Sequence, residues 1–247
     1  HGGTGSNLQF EKNSGFDVLA ERFGFIVVYP NGVGIGAGET NLRTWNAGMC
    51  CGPAVQKHVD DVGFIRQLIG TIEVGFPIDR TRVFAAGHSN GGFMAYRLAC
   101  ELSDRVVAVG IQSGGFGMLK CAPVHPVSLL HIHGTADSNV PIDGGIGPTS
   151  MSQVVFPSAY WSTRTVAAAM HCGIWPTLTV DPLNHDLTIR TRSNAAAHVD
   201  VRLIAVRGAS HTWMGHAPVN PYAPPAYMKL DSSLAIVQFL LAHPRHL

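Results

Sequence analysis

The stretch Arg82-Val-Phe-Ala-Ala-Gly87-His88-Ser89-Asn90-Gly91-Gly92-Phe93-Met-Ala-Tyr96-Arg97-Leu98-Ala99-Cys100 reads as a short apolar strand, a glycine-pinched turn and a helix. Val83 to Ala86 follow the turn Phe76-Pro77-Ile78-Asp79, as a buried parallel strand should. Phe93, Tyr96, Arg97 and Cys100 then recur at helical spacing. Between the two, Gly87 and Gly91 remove the side chains that would collide where the chain reverses, leaving the Ser89 hydroxyl exposed at the apex above a helix N-terminus. A Gly-x-Ser-x-Gly pattern alone says little in a chain with 28 glycines among 247 residues. The flanking strand and helix make it a nucleophile elbow and Ser89 a candidate nucleophile; otherwise it is a serine in an ordinary strand-to-helix turn.

A nucleophilic serine needs a base within hydrogen-bond reach and an acid to orient that base. After the apolar strand Val127 to His133 comes Gly134-Thr-Ala-Asp137, which places Asp137 just beyond a strand's C-terminal end, where open α/β sheets build their sites. After Val199 to Val206 comes Arg207-Gly-Ala-Ser-His211, again just past a strand end. Asp137 is the expected acid, with Asp143 as rival, and His211 the expected base, with His216 as rival. Backbone donors for a developing oxyanion are expected from Asn90 N–H and, in the opening His1-Gly2-Gly3-Thr4-Gly5, from Gly3 or Thr4. His88, Trp45 and Trp213 are read as candidate substrate contacts, with packing roles as their alternative.

Toward the N-terminus, the pattern predicts a helix from Ser14 to Phe23 stopped by Gly24, and an apolar strand from Phe25 to Tyr29. A long loop over 30–56 carries Trp45 and the Cys50-Cys51-Gly52-Pro53 group, and a helix follows from Val59 to Ile72. Strands are expected at Val106 to Ile111 and Val127 to His133, and a helix from Ser158 to Met170. Two weaker strands follow, Leu187 to Thr191 and Val199 to Val206, with a final helix from Ser232 to Ala242 behind Asp231. This alternation implies a mainly parallel sheet flanked by helices. The Pro218 to Pro225 run reads as a rigid surface loop.

A content of 46% hydrophobic and 13% charged residues suits one large globular domain over residues 1–247. The net charge of +1 gives no field to recruit nucleic acid or an anionic membrane, and no apolar run reaches the length of a membrane span. Partners are therefore expected to be small molecules or neutral polymers; oligomeric state stays open. The thirteen histidines are scattered, no zinc spacing is present, and no metal site is read. Cys50, Cys51, Cys100, Cys121 and Cys172 allow at most two disulfides, which mildly favours an oxidising setting, secreted or periplasmic.

Taken together, His1-Gly-Gly-Thr-Gly, Thr44-Trp-Asn-Ala-Gly-Met-Cys-Cys-Gly-Pro-Ala54, Val59-Asp-Asp-Val-Gly-Phe-Ile-Arg66, Gly87-His-Ser-Asn-Gly-Gly92, His131-Ile-His-Gly-Thr-Ala-Asp137 and Ser210-His-Thr-Trp213 resemble one family. It is the α/β-hydrolase esterases of the polyhydroxybutyrate depolymerase, LpqC-like and feruloyl esterase group. The resemblance implies an α/β-hydrolase fold, a Ser89, Asp137 and His211 triad, no metal or organic cofactor, and export. It implies hydrolysis of short-chain, hydroxyacid or hydroxycinnamoyl esters, with polyhydroxyalkanoate-type polyesters in range. Two departures from the pattern stand out. The family has strands before its H-G-G loop that this sequence does not show, one of them normally inside the sheet. A truncated chain, a gene fragment or a rearranged sheet in which the Phe25 and Val83 strands pair directly are the alternatives, and a frayed terminus would weaken the oxyanion hole. Ser193-Asn194 also stands where such proteins often carry a partner for Cys172. The rival functions are a non-catalytic ligand- or polymer-binding protein of the same fold and a serine peptidase.

Overall fold

A computed structural model of the chain describes residues 1–36 and 41–246; residues 37–40, inside the expected 30–56 loop, lie outside the described residues. Local chemistry sets the first elements. Ser6 caps α1 (Asn7–Ser14) by accepting the Gln9 N–H at 3.2 Å. Gly15, with φ of 60°, ends α1 and starts α2 (Phe16–Phe23), which Gly24 stops with φ of 72°. The expected Ser14 to Phe23 helix is α2, whose start is set by the left-handed Gly15, and α1 ahead of it was not expected from the sequence.

Phe25 to Tyr29 pair with no strand among the described residues, which corrects the expected strand and sets aside the alternative of its direct pairing with the Val83 segment. A cavity of 710 Å³, lined by Val27 and Tyr29 on one side and by Val83, Ala85 and Leu98 on the other, lies between them. The 30–56 region holds more order than expected. Strands β1 (Val33–Ile35) and β2 (Asn41–Thr44) pair antiparallel, and α3 (Gly52–Gln56) follows.

Asp60 then caps α4 (Asp61–Gly75), accepting the Gly63 N–H at 2.9 Å. The elbow follows as β3 (Phe84–His88) and α5 (Asn90–Glu101), and next come β4 (Ala108–Gln112) and β5 (Ser128–Gly134). Helix α6 (Ala159–Ala169) begins at its Ser158 cap. Strands β6 (Thr177–Val180), β7 (Leu187–Asn194) and β8 (Val199–Val206) lead to α7 (Ser232–Ala242), capped by Asp231. The exposed edge strand β6 was not expected from the sequence.

Among the described residues the main sheet runs β3-β4-β5-β8-β7-β6, parallel from β3 to β8 and antiparallel over β7 and β6. Helices cover both faces, and all seven residues of β5 are buried. Side chains alternate along it: Leu129 joins Val109, Ile111, Phe93 and Tyr96 on one face, while Leu130 and Ile132 join Phe10, Phe16, Ile236 and Phe239 on the other. Gly110 has no Cβ because Ile236 of α7 occupies that space.

Cys100 is bonded to Cys121, and Cys172 is a free, half-buried thiol whose pKa burial pushes up to about 11. No helix among the described residues is long and apolar enough to cross a membrane.

Candidate active site

Parallel strands bring their C-terminal ends to one edge of a sheet, and β3, β4, β5 and β8 are neighbours. Ser89 leaves β3, Gln112 ends β4, Asp137 lies three residues beyond β5, and His211 lies five beyond β8. Sequence spacings of 48 and 74 residues collapse to one edge for that reason.

Ser89 has φ of 54° and ψ of −122°, a backbone state that costs a non-glycine residue roughly 1–3 kcal/mol and persists only where neighbours enforce it. Its N–H donates to the Gln112 carbonyl at 2.9 Å, and its own carbonyl accepts the Phe93 N–H at 2.9 Å. Glycine is required on both sides. A Cβ on Gly87 would run into the Gly91 carbonyl, and one on Gly91 into the His1 carbonyl. Among the described residues the Ser89 hydroxyl makes no hydrogen bond, and the bonds His211 makes are to Asp137 and His88.

The loops after β5 and β8 stay zipped together beyond the strands. Thr135 N–H donates to Val206 O at 2.9 Å, Ala136 N–H to Ala209 O at 3.0 Å, and Gly208 N–H to Thr135 Oγ1 at 2.9 Å. This seats His211 Nδ1 at 2.8 Å from Asp137 Oδ2. Asp137 Oδ1 accepts the N–H groups of Asn139 at 3.0 Å and Val140 at 2.9 Å. Burial opposes the charge of Asp137, but hydrogen bonds from His133 and His211 outweigh it and hold the carboxyl well below its usual range. The rivals lie elsewhere: Asp143 is exposed, and His216 faces Asp231 at 3.3 Å.

The structure also packs Gly3 against the Asn90 side chain and Gly2 against Ser89. Asn90 is the first residue of α5, so its N–H is one of the donors for which a helix offers no acceptor. Thr4 is corrected as a donor, because its N–H is held by the Arg43 carbonyl at 2.8 Å. Nor is the glycine-rich loop frayed. His1 is buried, its Nε2 accepting Gly32 N–H at 3.0 Å and its carbonyl the Trp45 indole N–H at 3.1 Å.

The expected substrate contacts change role. Trp45 and Trp213 are each 3% exposed. Trp213 donates its indole N–H to Ser233 Oγ at 2.9 Å and packs edge-on against Phe10 and Phe16, so both tryptophans are interior anchors. His88 Nε2 donates to the His211 carbonyl at 2.7 Å, its ring lies between those of His211 and Trp213, and burial and then nearby His211 push its pKa down to about 3. It holds the histidine loop as a neutral ring.

Three supports escaped the sequence reading. The Asn90 side chain accepts Trp45 N–H at 2.6 Å and donates to the carbonyls of Trp45 at 3.0 Å and Cys50 at 3.2 Å, clamping the 45–50 loop to the elbow. Gln112, fully buried, donates to Thr212 O at 3.0 Å and accepts Met214 N–H at 3.1 Å, on either side of Trp213. The proline-rich run braces the same loop, as Pro224 O accepts from Thr212 Oγ1 at 2.7 Å and Pro225 O from Ser210 Oγ at 3.2 Å. A polar residue at the end of an otherwise apolar strand was the one available signal for Gln112. Among the described residues no group of three or more His, Cys, Asp or Glu side chains is arranged to hold a metal ion.

Comparison with known proteins puts this geometry in context. The profile of the family described as "Esterase PHB depolymerase" matches residues 1–155. Feruloyl esterase B of Piromyces equi is 34% identical over 160 residues, 61% of this chain and 26% of that protein. A bifunctional acetylxylan esterase/xylanase of Neocallimastix patriciarum is 30% identical over 129 residues, 51% of this chain and 17% of that protein. The chain thus spans about a quarter or less of the length of these two relatives. Acetyl xylan esterase from Aspergillus awamori superposes with a TM-score of 0.62 at 15% identity, over 89% of this chain and 83% of that one, a likeness of fold.

Proposed function

The chain belongs to the esterase PHB depolymerase family and has an α/β-hydrolase fold, and from that premise we propose that it is a serine carboxylic-ester hydrolase acting through an acyl-enzyme. The observation that carries the reading is the 2.8 Å bond from His211 Nδ1 to Asp137 at the same sheet edge as the strained Ser89 elbow. His211 Nδ1 donates to Asp137, so Nε2 carries the lone pair that takes the Ser89 proton as the hydroxyl oxygen attacks the ester carbonyl. Asp137 stabilises the imidazolium that forms. The N–H groups of Asn90 and Gly3 supply donors for the developing oxyanion. The imidazolium returns its proton to the leaving alcohol, and water, activated by His211 in turn, releases the acid and restores Ser89.

The names of the relatives support acetyl or hydroxycinnamoyl esters as the substrate class, with short-chain and hydroxyacid esters in range. Residues 1–247 act as one catalytic domain. The Cys100–Cys121 disulfide supports an oxidising compartment, secreted or periplasmic. The test is hydrolysis of p-nitrophenyl esters from acetate to octanoate, beside methyl ferulate, by the wild type and Ser89→Ala. Turnover lost in the variant is expected. A folded wild type no faster than the variant would end the esterase reading.

A further inference from the structure

Two imidazoles lie fully buried in the middle of β5, where the pattern of the sheet calls for aliphatic side chains. His131 and His133 share the face of Leu129, and a buried polar group there is stable only when fully hydrogen-bonded. They are. Tyr96 Oη lies 2.8 Å from His131 Nδ1, His131 Nε2 lies 2.9 Å from His133 Nδ1, and His133 Nε2 lies 2.8 Å from Val140 O and 3.5 Å from Asp137 Oδ2.

The direction of the chain follows from its last acceptor. A carbonyl can only accept, so His133 carries its proton on Nε2 and offers the Nδ1 lone pair. With neutral imidazoles, His131 must then donate from Nε2 and accept at Nδ1, which leaves Tyr96 as the donor at the head. Burial lowers the His131 pKa and raises that of Tyr96, in keeping with a neutral ring and an intact hydroxyl. The series starts on α5, seven residues past Ser89, crosses β5, and ends on the turn whose N–H groups also hold Asp137. It links the helix beneath the candidate nucleophile to the candidate acid through the protein interior.

We propose that His133, fixed as the Nε2–H tautomer by His131 and Tyr96, is a positioning residue that grips the 137–140 turn and holds Asp137 against His211. It touches no substrate; it acts through Asp137. The proposal rests on the esterase reading, so its experiment has one readout that depends on turnover and one that does not.

His133→Gln keeps a donor near the Nε2 position, whereas His133→Asn is polar but smaller and too short to reach Val140 and Asp137. Kinetics on p-nitrophenyl acetate and the downfield proton NMR signal of His211 Nδ1–H are measured for both, with wild type and Ser89→Ala alongside. The expected result is KM within about twofold throughout and kcat near wild type in His133→Gln. In His133→Asn, kcat falls about tenfold to a hundredfold, the range a displacement of a catalytic group by about 1 Å produces, and the His211 signal is lost or shifted. Equal kcat and an unmoved signal in the two variants overturn the proposal. So does an equal loss in both at unchanged His211 signal, which is what mere packing would give. Should the wild type show no turnover beyond Ser89→Ala, the esterase reading fails, and the NMR signal still decides whether His133 holds Asp137.

Discussion

Replacing Asp137 by Asn tests the candidate site at the point where the geometry is tightest. Oδ1 keeps its two backbone partners, Asn139 N–H at 3.0 Å and Val140 N–H at 2.9 Å, so the turn retains its shape. The change falls on Oδ2, which becomes an NH2 group 2.8 Å from His211 Nδ1. Two donors cannot share that distance, so His211 must present a lone pair at Nδ1 and carry its proton on Nε2. That tautomer cannot accept the Ser89 proton. The expected loss is about 10³- to 10⁴-fold in kcat, or roughly 4–5.5 kcal/mol at 1.36 kcal/mol per tenfold, with KM little changed. The assay is steady-state hydrolysis of p-nitrophenyl acetate at pH 8, with nitrogen-15 NMR reporting the His211 tautomer. A variant that keeps kcat within tenfold of wild type while His211 remains Nδ1–H would refute the reasoning. Acid denaturation gives a second reading of the same carboxylate. Its folded-state pKa is depressed, so its stabilisation is complete above the unfolded value of about 4 and is lost as pH falls toward the folded one. Asp137→Asn should lack that part of the acid sensitivity.

Three further outcomes follow from single contacts. Gly87→Ala drives a Cβ into the Gly91 carbonyl and should cost about 3 kcal/mol or more, read as a drop in the urea midpoint; a loss below 1 kcal/mol would contradict the close approach. Gln112→Leu leaves Thr212 C=O and Met214 N–H buried without partners and should destabilise by about 2–5 kcal/mol while lowering kcat through the His211 loop, which denaturation and kinetics on one preparation would check. Burial pushes His88 from 6.5 to about 3, so the unfolded chain takes up this proton first. Its stabilisation is present above pH 6.5 and declines toward pH 3 by roughly 1.4 kcal/mol per pH unit, and His88→Gln should flatten the stability profile between pH 6 and 4. Parallel profiles for the two proteins would show that the His88 ring is not responsible.

The features legible in the amino-acid order are those that depend on near neighbours along the chain. The elbow at Gly87 to Gly91, the stop at Gly24 and the Asp231 cap before α7 are chosen by steric freedom and single hydrogen bonds within a few residues, and they are legible for that reason. The order Ser89, Asp137, His211 past three strand ends was legible too, because a parallel sheet sends every such end to one edge. The remaining features depend on packing between distant segments. Phe25 to Tyr29 have the composition of a strand, but a strand exists through the neighbour it bonds, and a cavity lies where that neighbour would be. Trp45 and Trp213 look alike as aromatics beside a site until packing buries them and turns their indole N–H groups inward. The roles of Gln112, the Asn90 side chain and the Tyr96, His131 and His133 series rest on partners up to 102 residues away, and no local pattern encodes which distant carbonyl a buried donor will meet.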